Sequence, residues 1–167
     1  VAKIPPSTVG AALESAKAHA KGDESVTFLV FSLANERYGV EITKVREIIL
    51  MEPITPVPNT HGFVVGVMNL RDQVIPVFDL RKKLRVAGNA ASEVRNIIVV
   101  EIEKSVTGLQ VDDVNGIMAL PAGRIEPPQL FEGAIETDYL YGLGNTDSGA
   151  VILLDAAVLC APDEILF

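Results

Sequence analysis

Residues 63–84 read FVVGVMNLRDQVIPVFDLRKKL, and this stretch decides the fold. Two apolar runs, Phe63 to Leu70 and Val74 to Leu80, flank the polar connection Arg71-Asp72-Gln73. β-rich runs on either side of a tight polar turn signal a β-hairpin. Pro76 falls inside the second run. A proline has no N–H to give to a ladder, so an edge or bulged strand with its donor side unpaired is expected. An edge with a charged tip invites either protection or a partner.

Upstream, VTFLVFSL from Val26 is a continuous β-rich run, followed by a turn at Ala34 to Arg37 and a second run from Tyr38 to Ile42. Behind Ile42, the residues Val45, Ile48 and Ile49 fall at helical spacing with Lys44, Arg46 and Glu47 between them, which predicts one short helical turn. Most of Val40, Ile42, Val45 and Ile48 are expected in the core, with Val45 nearest the surface because charges flank it. Pro53, Pro56 and Pro58 allow only brief extended pieces before the hairpin, and residues 85–95 form a break rich in Ala, Gly, Ser and Asn. Residues 1–25 stand apart. Ser7 or Thr8 can cap an Ala-rich helix that reaches about Lys21 before Gly22. They read as a peripheral helix, an ordered tail or a linker remnant. The chain opens at Val1, which leaves open that it is a piece of something longer.

The second half repeats the first. Phe28 to Ile49 lies on Ile97 to Met118 at an offset of 69, matching Val30 with Val99, Gly39 with Gly108 and Val45 with Val114. The hairpin repeats at an offset of 76, matching Gly66 with Gly142, Asn69 with Asn145 and Asp79 with Asp155. Duplicated short-strand units with Gly, Pro and Asn turns point to two small β-barrels, and there are too few helix-period segments for βαβ crossovers. The expected organisation is an extension over residues 1–25 and a domain over 26–167, made of intertwined barrels near 26–84 and 95–160. Barrels this small must share a core, and a binding groove between them is expected.

Composition narrows the function. The chain has 167 residues, 49% apolar and 22% charged, with a net charge of −8 and one cysteine, Cys160. The acidic balance argues against nucleic acid or anionic membrane as the main partner. A single cysteine forms no intrachain disulfide, which suits a reducing compartment. No run reaches the length of a transmembrane helix. Catalysis finds no support. His19 and His61 lie in no metal-binding spacing, and Cys160 sits in an apolar run that suggests a packed thiol. Gly142 and Gly144 lack the strand-turn-helix setting of a phosphate loop and fit a strand bulge or turn. Asp112-Asp113 and Glu101/Glu103 read as solvated positions, so no acid–base pair is visible.

Two charges remain of interest. Glu47 sits on the predicted helical turn, and Arg71 stands at the hairpin tip. They read either as two solvated surface charges or as an ion pair that pins the hairpin to that turn.

The segments YGVEITKVREI (38–48), Pro58-Asn59-Thr60, GVMNLR (66–71), IPVFDL (75–80), Leu109 to Ile117 and YLYGLG (139–144) together resemble the CheW family of chemotaxis adaptors. The resemblance runs from about Thr27 to Leu159. It implies a mainly β fold of two pseudo-symmetric five-stranded SH3-like β-barrels with short helices, carrying no enzyme activity and no cofactor. It further implies a cytoplasmic scaffold, membrane-associated only through receptor arrays, that links the cytoplasmic tips of chemoreceptors to the regulatory domain of a CheA-type histidine kinase. By matching position, Glu47 and Arg71 are the structural pair, while Ile42, Val45, Ile48 and Asn69 lie in or beside the receptor-binding surface. The residue after Asn-Leu-Arg is usually Gly in the family and is Asp72 here, so Asp72 is expected to sit at positive φ and to compete with Glu47 for Arg71. Asp113 likewise stands where members often have Gly. The alternatives are the same domain as part of a kinase or of a receiver-fused (CheV-type) adaptor, a member serving pilus motility, and, most distantly, a nucleic-acid-binding barrel.

Overall fold

The computed structural model describes residues 25–50, 54–58, 62–86, 96–127 and 139–160. The expected N-terminal helix, both histidines and the Asn59-Thr60 part of the loop lie outside the described residues. Strands β1 (Ser25–Leu33), β2 (Glu36–Glu41) and β3 (Val45–Leu50) are followed by the hairpin β4 (Val64–Leu70) and β5 (Gln73–Asp79) and the short helix α1 (Leu80–Lys83). The second half gives β6 (Asn96–Ile102), β7 (Ser105–Val111), β8 (Asp113–Pro121), β9 (Ile125–Glu126), β10 (Leu140–Thr146), β11 (Gly149–Leu154) and α2 (Ala156–Leu159). No helix of the described residues is long and apolar enough to cross a membrane.

The fold is mainly β, as expected, in two sheets. One runs β8-β1-β2-β11-β10-β9 and the other β3-β6-β7-β5-β4. Each sheet therefore takes strands from both halves of the sequence. The β10–β11 hairpin of the second half joins β2 in parallel, and the β4–β5 hairpin of the first half joins β7 in parallel. The six-stranded sheet owes its extra member to the two-residue β9. In the other sheet a single bridge, Thr55 to Val67, occupies the corresponding place beside β4.

Core placement explains the continuous apolar runs. In β1, Leu29, Phe31 and Leu33 belong to the largest cluster, whereas Phe28 and Val30 belong to a cluster within the six-stranded sheet. In β6, Ile98 and Val100 face the largest cluster, and Ile97 and Val99 face one within the five-stranded sheet. A strand with apolar neighbours on both faces loses its period-two signature. The largest cluster also holds Phe78, Leu109 and Leu154, so the junction expected as a groove is filled at its centre.

The hairpins close on tighter turns than the sequence suggested. Leu70 pairs with Gln73, leaving only Arg71 and Asp72 in the loop, at φ 48° and 67°. Ala34-Asn35 and Glu103-Lys104 do the same at φ 50°/73° and 48°/74°. Positive φ at both central residues is what a type I′ turn needs to match strand twist. Glu36 and Arg37, expected in the first turn, therefore belong to β2.

Pro76 also departs from expectation. β5 lies between β4 and β7, so it is an interior strand, and β4 forms the edge. The proline is tolerated because its missing donor points where no partner is needed. Both backbone groups of Val67, its cross-strand partner, bond to Thr55 at 2.8 and 2.9 Å, so Val67 and Pro76 form a non-hydrogen-bonded pair. On the other side, parallel pairing to β7 begins only at Val77. The Thr55 bridge in turn requires Gly66, because a Cβ there would fall on the carbonyl oxygen of Thr55.

Two buried groups set an alkaline limit. Burial pushes the Cys160 thiol from its ordinary 9.0 up to about 12, opposed in part by the Lys83 charge. Burial first, and Glu36 second, raise Tyr38 from 10.0 to about 12. Both are neutral when folded and ionise earlier when unfolded. Their stabilisation is complete below pH 9 and is lost as pH rises towards 12. The urea midpoint is expected to fall between pH 8.5 and pH 11, with Cys160 unreactive to thiol reagents until unfolding. An unchanged midpoint at pH 11 would contradict the buried neutral state.

Candidate functional site

The site is built where β3 meets the β4–β5 hairpin. Only Ile42–Lys44 forms the predicted helical turn, as a 3-10 turn, and β3 starts at Val45. The helical spacing has a different cause. Val45 pairs with Val100 and Glu47 with Val99, so Arg46 is an extra residue in a β-bulge. One inserted residue puts Val45 and Ile48 on the same face, three positions apart, which imitates a helix. Both pack on the largest cluster, while Ile49 packs on the cluster within the five-stranded sheet. Glu47 is therefore a strand residue, on the same face as Ile49.

Val45 is 1% exposed, and so is Ile42. The expectation that Val45 reaches the surface is overturned: strand alternation turns its charged neighbours outward and Val45 inward. Ile42 and Val45 support the surface from below and do not line it. Ile48 is partly buried.

Arg71 Nη1 lies 3.1 Å from Glu47 Oε2, with the arginine side chain 71% exposed and the glutamate 18% exposed. The approach is close but off the N–H direction, because the buried Oε2 has no aligned hydrogen bond. The pair links β3 to the turn that follows β4, and β3 and β4 are the two outermost strands of one sheet, so the sheet curls until its edges meet. Ile49, Met68 and Leu70 fill the seam beneath. Asp72 sits at φ 67°, the turn geometry anticipated for a Gly position, and forms no ion pair among the described residues. Glu47 keeps the arginine.

Asn69 is exposed on β4, directly across from Val74, which is 62% exposed. Sequence reading missed Val74 as a surface residue. Its run looks like core, and only the register, which pairs it with the outward Asn69, reveals its side. The exposed surface at the tip thus comprises Asn69, Arg71, Asp72, Gln73 and Val74.

The pseudo-symmetric tip carries the reverse arrangement. Asp147, equivalent to Arg71, accepts from Arg124 Nη1 at 3.2 Å, and Asn145, equivalent to Asn69, donates to Glu126 at 3.0 Å. Asp112, expected to be solvated, is only 3% exposed. Its carboxylate accepts from the Ala34 N–H at 2.8 Å, so it anchors the β1–β2 turn and is held away from water. Gly142 lies at a bulge in β10, the setting anticipated for it. No group of three or more potential metal ligands occurs among the described residues.

The CheW-like domain profile matches residues 27–163. The chain belongs to the CheW-like domain family. It is 38% identical over 138 residues to chemotaxis protein CheW of Klebsiella aerogenes, covering 83% of each chain. Protein FrzA of Myxococcus xanthus is 33% identical over 117 residues, which cover 70% of this chain and 72% of that one. The solved structure of the scaffolding protein TtCheW from Thermoanaerobacter tengcongensis is similar at a TM-score of 0.76 and 34% identity, with 84% of this chain and 95% of that chain covered.

Proposed function

We propose that this CheW-like protein is a non-catalytic adaptor that couples the cytoplasmic hairpin tips of chemoreceptors to the regulatory domain of a CheA-type histidine kinase. The observation that carries the reading is the exposed tip of the first hairpin, held in place by the Glu47–Arg71 seam, within a family-matched chain. The receptor-facing surface comprises Asn69, Arg71, Asp72 and Val74, with Glu47 fixing the arginine and Ile48 at its margin. Ile42 and Val45 act through the backbone they hold. Such contacts are individually modest, and an array multiplies them through multivalency. Control of the kinase requires contact that differs between two receptor states, since equal contact transmits nothing. By the family resemblance, the kinase regulatory domain is expected on the second barrel, near residues 95–160. The family setting is cytoplasmic.

Titration calorimetry of the protein against a CheA regulatory domain, then against a receptor hairpin-tip fragment from the same organism, tests the reading. Saturable binding to both is expected. Binding to neither would remove the adaptor role and leave the fold.

A further inference from the structure

Duplication supplies an internal comparison. α1 and α2 occupy equivalent places and are capped alike: Asp79 accepts from the N–H groups of Arg81 and Lys82 at 3.1 and 3.4 Å, and Asp155 from those of Ala157 and Val158 at 3.0 and 3.4 Å. Their inward positions are buried in both copies, Leu80 and Lys83 in one, Ala156 and Leu159 in the other. The outward positions differ. Arg81 and Lys82 stand where the second copy has Ala157 and Val158, so the turn itself does not need charge there.

The cations are concentrated. Arg81, Lys82, Lys83 and Arg85 are four of the 14 Lys and Arg in a chain of net charge −8. Lys83 is turned inward, its Nζ 4.0 Å from the centroid of the Phe63 ring. Arg81, Lys82 and Arg85 instead line one surface hollow with Asp79 and Val86. None of the three forms an ion pair with another described residue.

Backbone geometry adds an independent observation. Val86 N–H donates to the Arg81 carbonyl at 2.9 Å and Arg85 N–H to the Lys82 carbonyl at 3.2 Å, which is a Schellman motif. Its left-handed residue is Arg85, at φ 56°, where glycine is usual and costs less. An arginine stands there against the preference of the backbone.

We propose that this end of the first hairpin, on the order of 20 Å along β5 from its tip, docks an acidic segment of a protein partner, with carboxylates on Arg81, Lys82 and Arg85. A protein segment is favoured over a membrane because three cations on an otherwise acidic surface are too few to overcome its repulsion from an anionic bilayer.

The test uses the 15N-labelled full chain, titrated in about 50 mM salt, where screening is weak, with a hexaglutamate peptide and separately with phosphatidylglycerol vesicles. Amide shifts confined to residues 79–86 and to Gln110, which pairs with Asp79 across β5 and β7, are expected with the peptide. In the Lys82→Ala/Arg85→Gly protein, affinity is expected to drop about tenfold while the melting temperature is held or raised, because glycine suits the left-handed position. Peptide shifts elsewhere, equal binding by the double variant, or binding of vesicles without binding of peptide would overturn the proposal. So would a lower melting temperature with unchanged binding, which would give the cations a structural role. The hairpin-tip pair is untouched by these changes, so the adaptor reading stands or falls separately.

Discussion

An Arg71→Glu protein is expected to fold normally and to bind a receptor hairpin-tip fragment at least about tenfold more weakly. The folding part follows from exposure. Arg71 is 71% exposed, and a solvated ion pair contributes only about 0–1 kcal/mol. The turn is preserved because its two positive-φ residues are set by strand twist and not by the guanidinium. The binding part follows from geometry. Reversal puts a third carboxylate beside Glu47 and Asp72, which pushes the tip away from β3 and inverts the charge that the surface presents. Titration calorimetry reads the affinity, and a urea melt reads the stability. Unchanged affinity with an unchanged melt would remove the hairpin tip from the receptor contact. A Glu47→Gln change, which leaves Arg71 charged and only weakens its tether, should cost affinity less than the reversal does.

Phe78→Ala is expected to lower the unfolding free energy by about 3–5 kcal/mol, a large part of the roughly 5–15 kcal/mol available to a domain. The ring is fully buried in the largest cluster and meets Phe63 edge-on, centroids 5.0 Å apart at 81°. Lys83 Nζ stands 5.9 Å from the Phe78 centroid and 5.2 Å from that of Tyr139. Truncation therefore opens a cavity and strips part of the aromatic surroundings of a buried cation. Phe78 also sits on β5 where it joins β7, so the cavity opens at the junction of the two sequence halves. The urea midpoint measures the effect. Phe78→Leu, which keeps most of the volume, should cost less than half as much. A loss below about 1 kcal/mol for the alanine variant would mean that the junction can collapse around the gap.

Much of this molecule was legible before any coordinates. The repeat offsets of 69 and 76 anticipated equivalences that extend to the Asp79 and Asp155 caps. The hairpin centred on Arg71 is present, and Glu47 and Arg71 do meet. Each of these features rests on local chemistry or on matched spacing within one chain, which a sequence carries explicitly.

What was misread has three physical origins. A bulge at Arg46 shifts strand alternation by one residue and so reads as helical spacing, which placed Glu47 on a helix, while the charges flanking Val45 suggested a surface position that strand alternation denies it. The two-residue turns use Arg71-Asp72, Ala34-Asn35 and Glu103-Lys104 in place of glycine, so their length was hidden. Pro76 suggested an edge, yet the exchange of hairpins between the halves moved β5 to an interior position and left β4 outside.

The sequence alone determined that the chain is a duplicated, mainly β protein with a charged hairpin tip, because hydrophobic spacing, turn chemistry and repeats are local properties. Only the tertiary structure decided which strands share a sheet, that Asn69 and Val74 face outward together, that Asp112 is buried beneath a turn, and that three cations gather in one hollow. The sheet partners and the burial of Asp112 beneath Ala34 depend on pairing between residues tens of positions apart. The Asn69–Val74 face and the cation hollow depend on register and turn closure within the first hairpin and the helix that follows it. A one-residue change in register exchanges the buried and exposed faces of a strand without altering a single letter of its sequence.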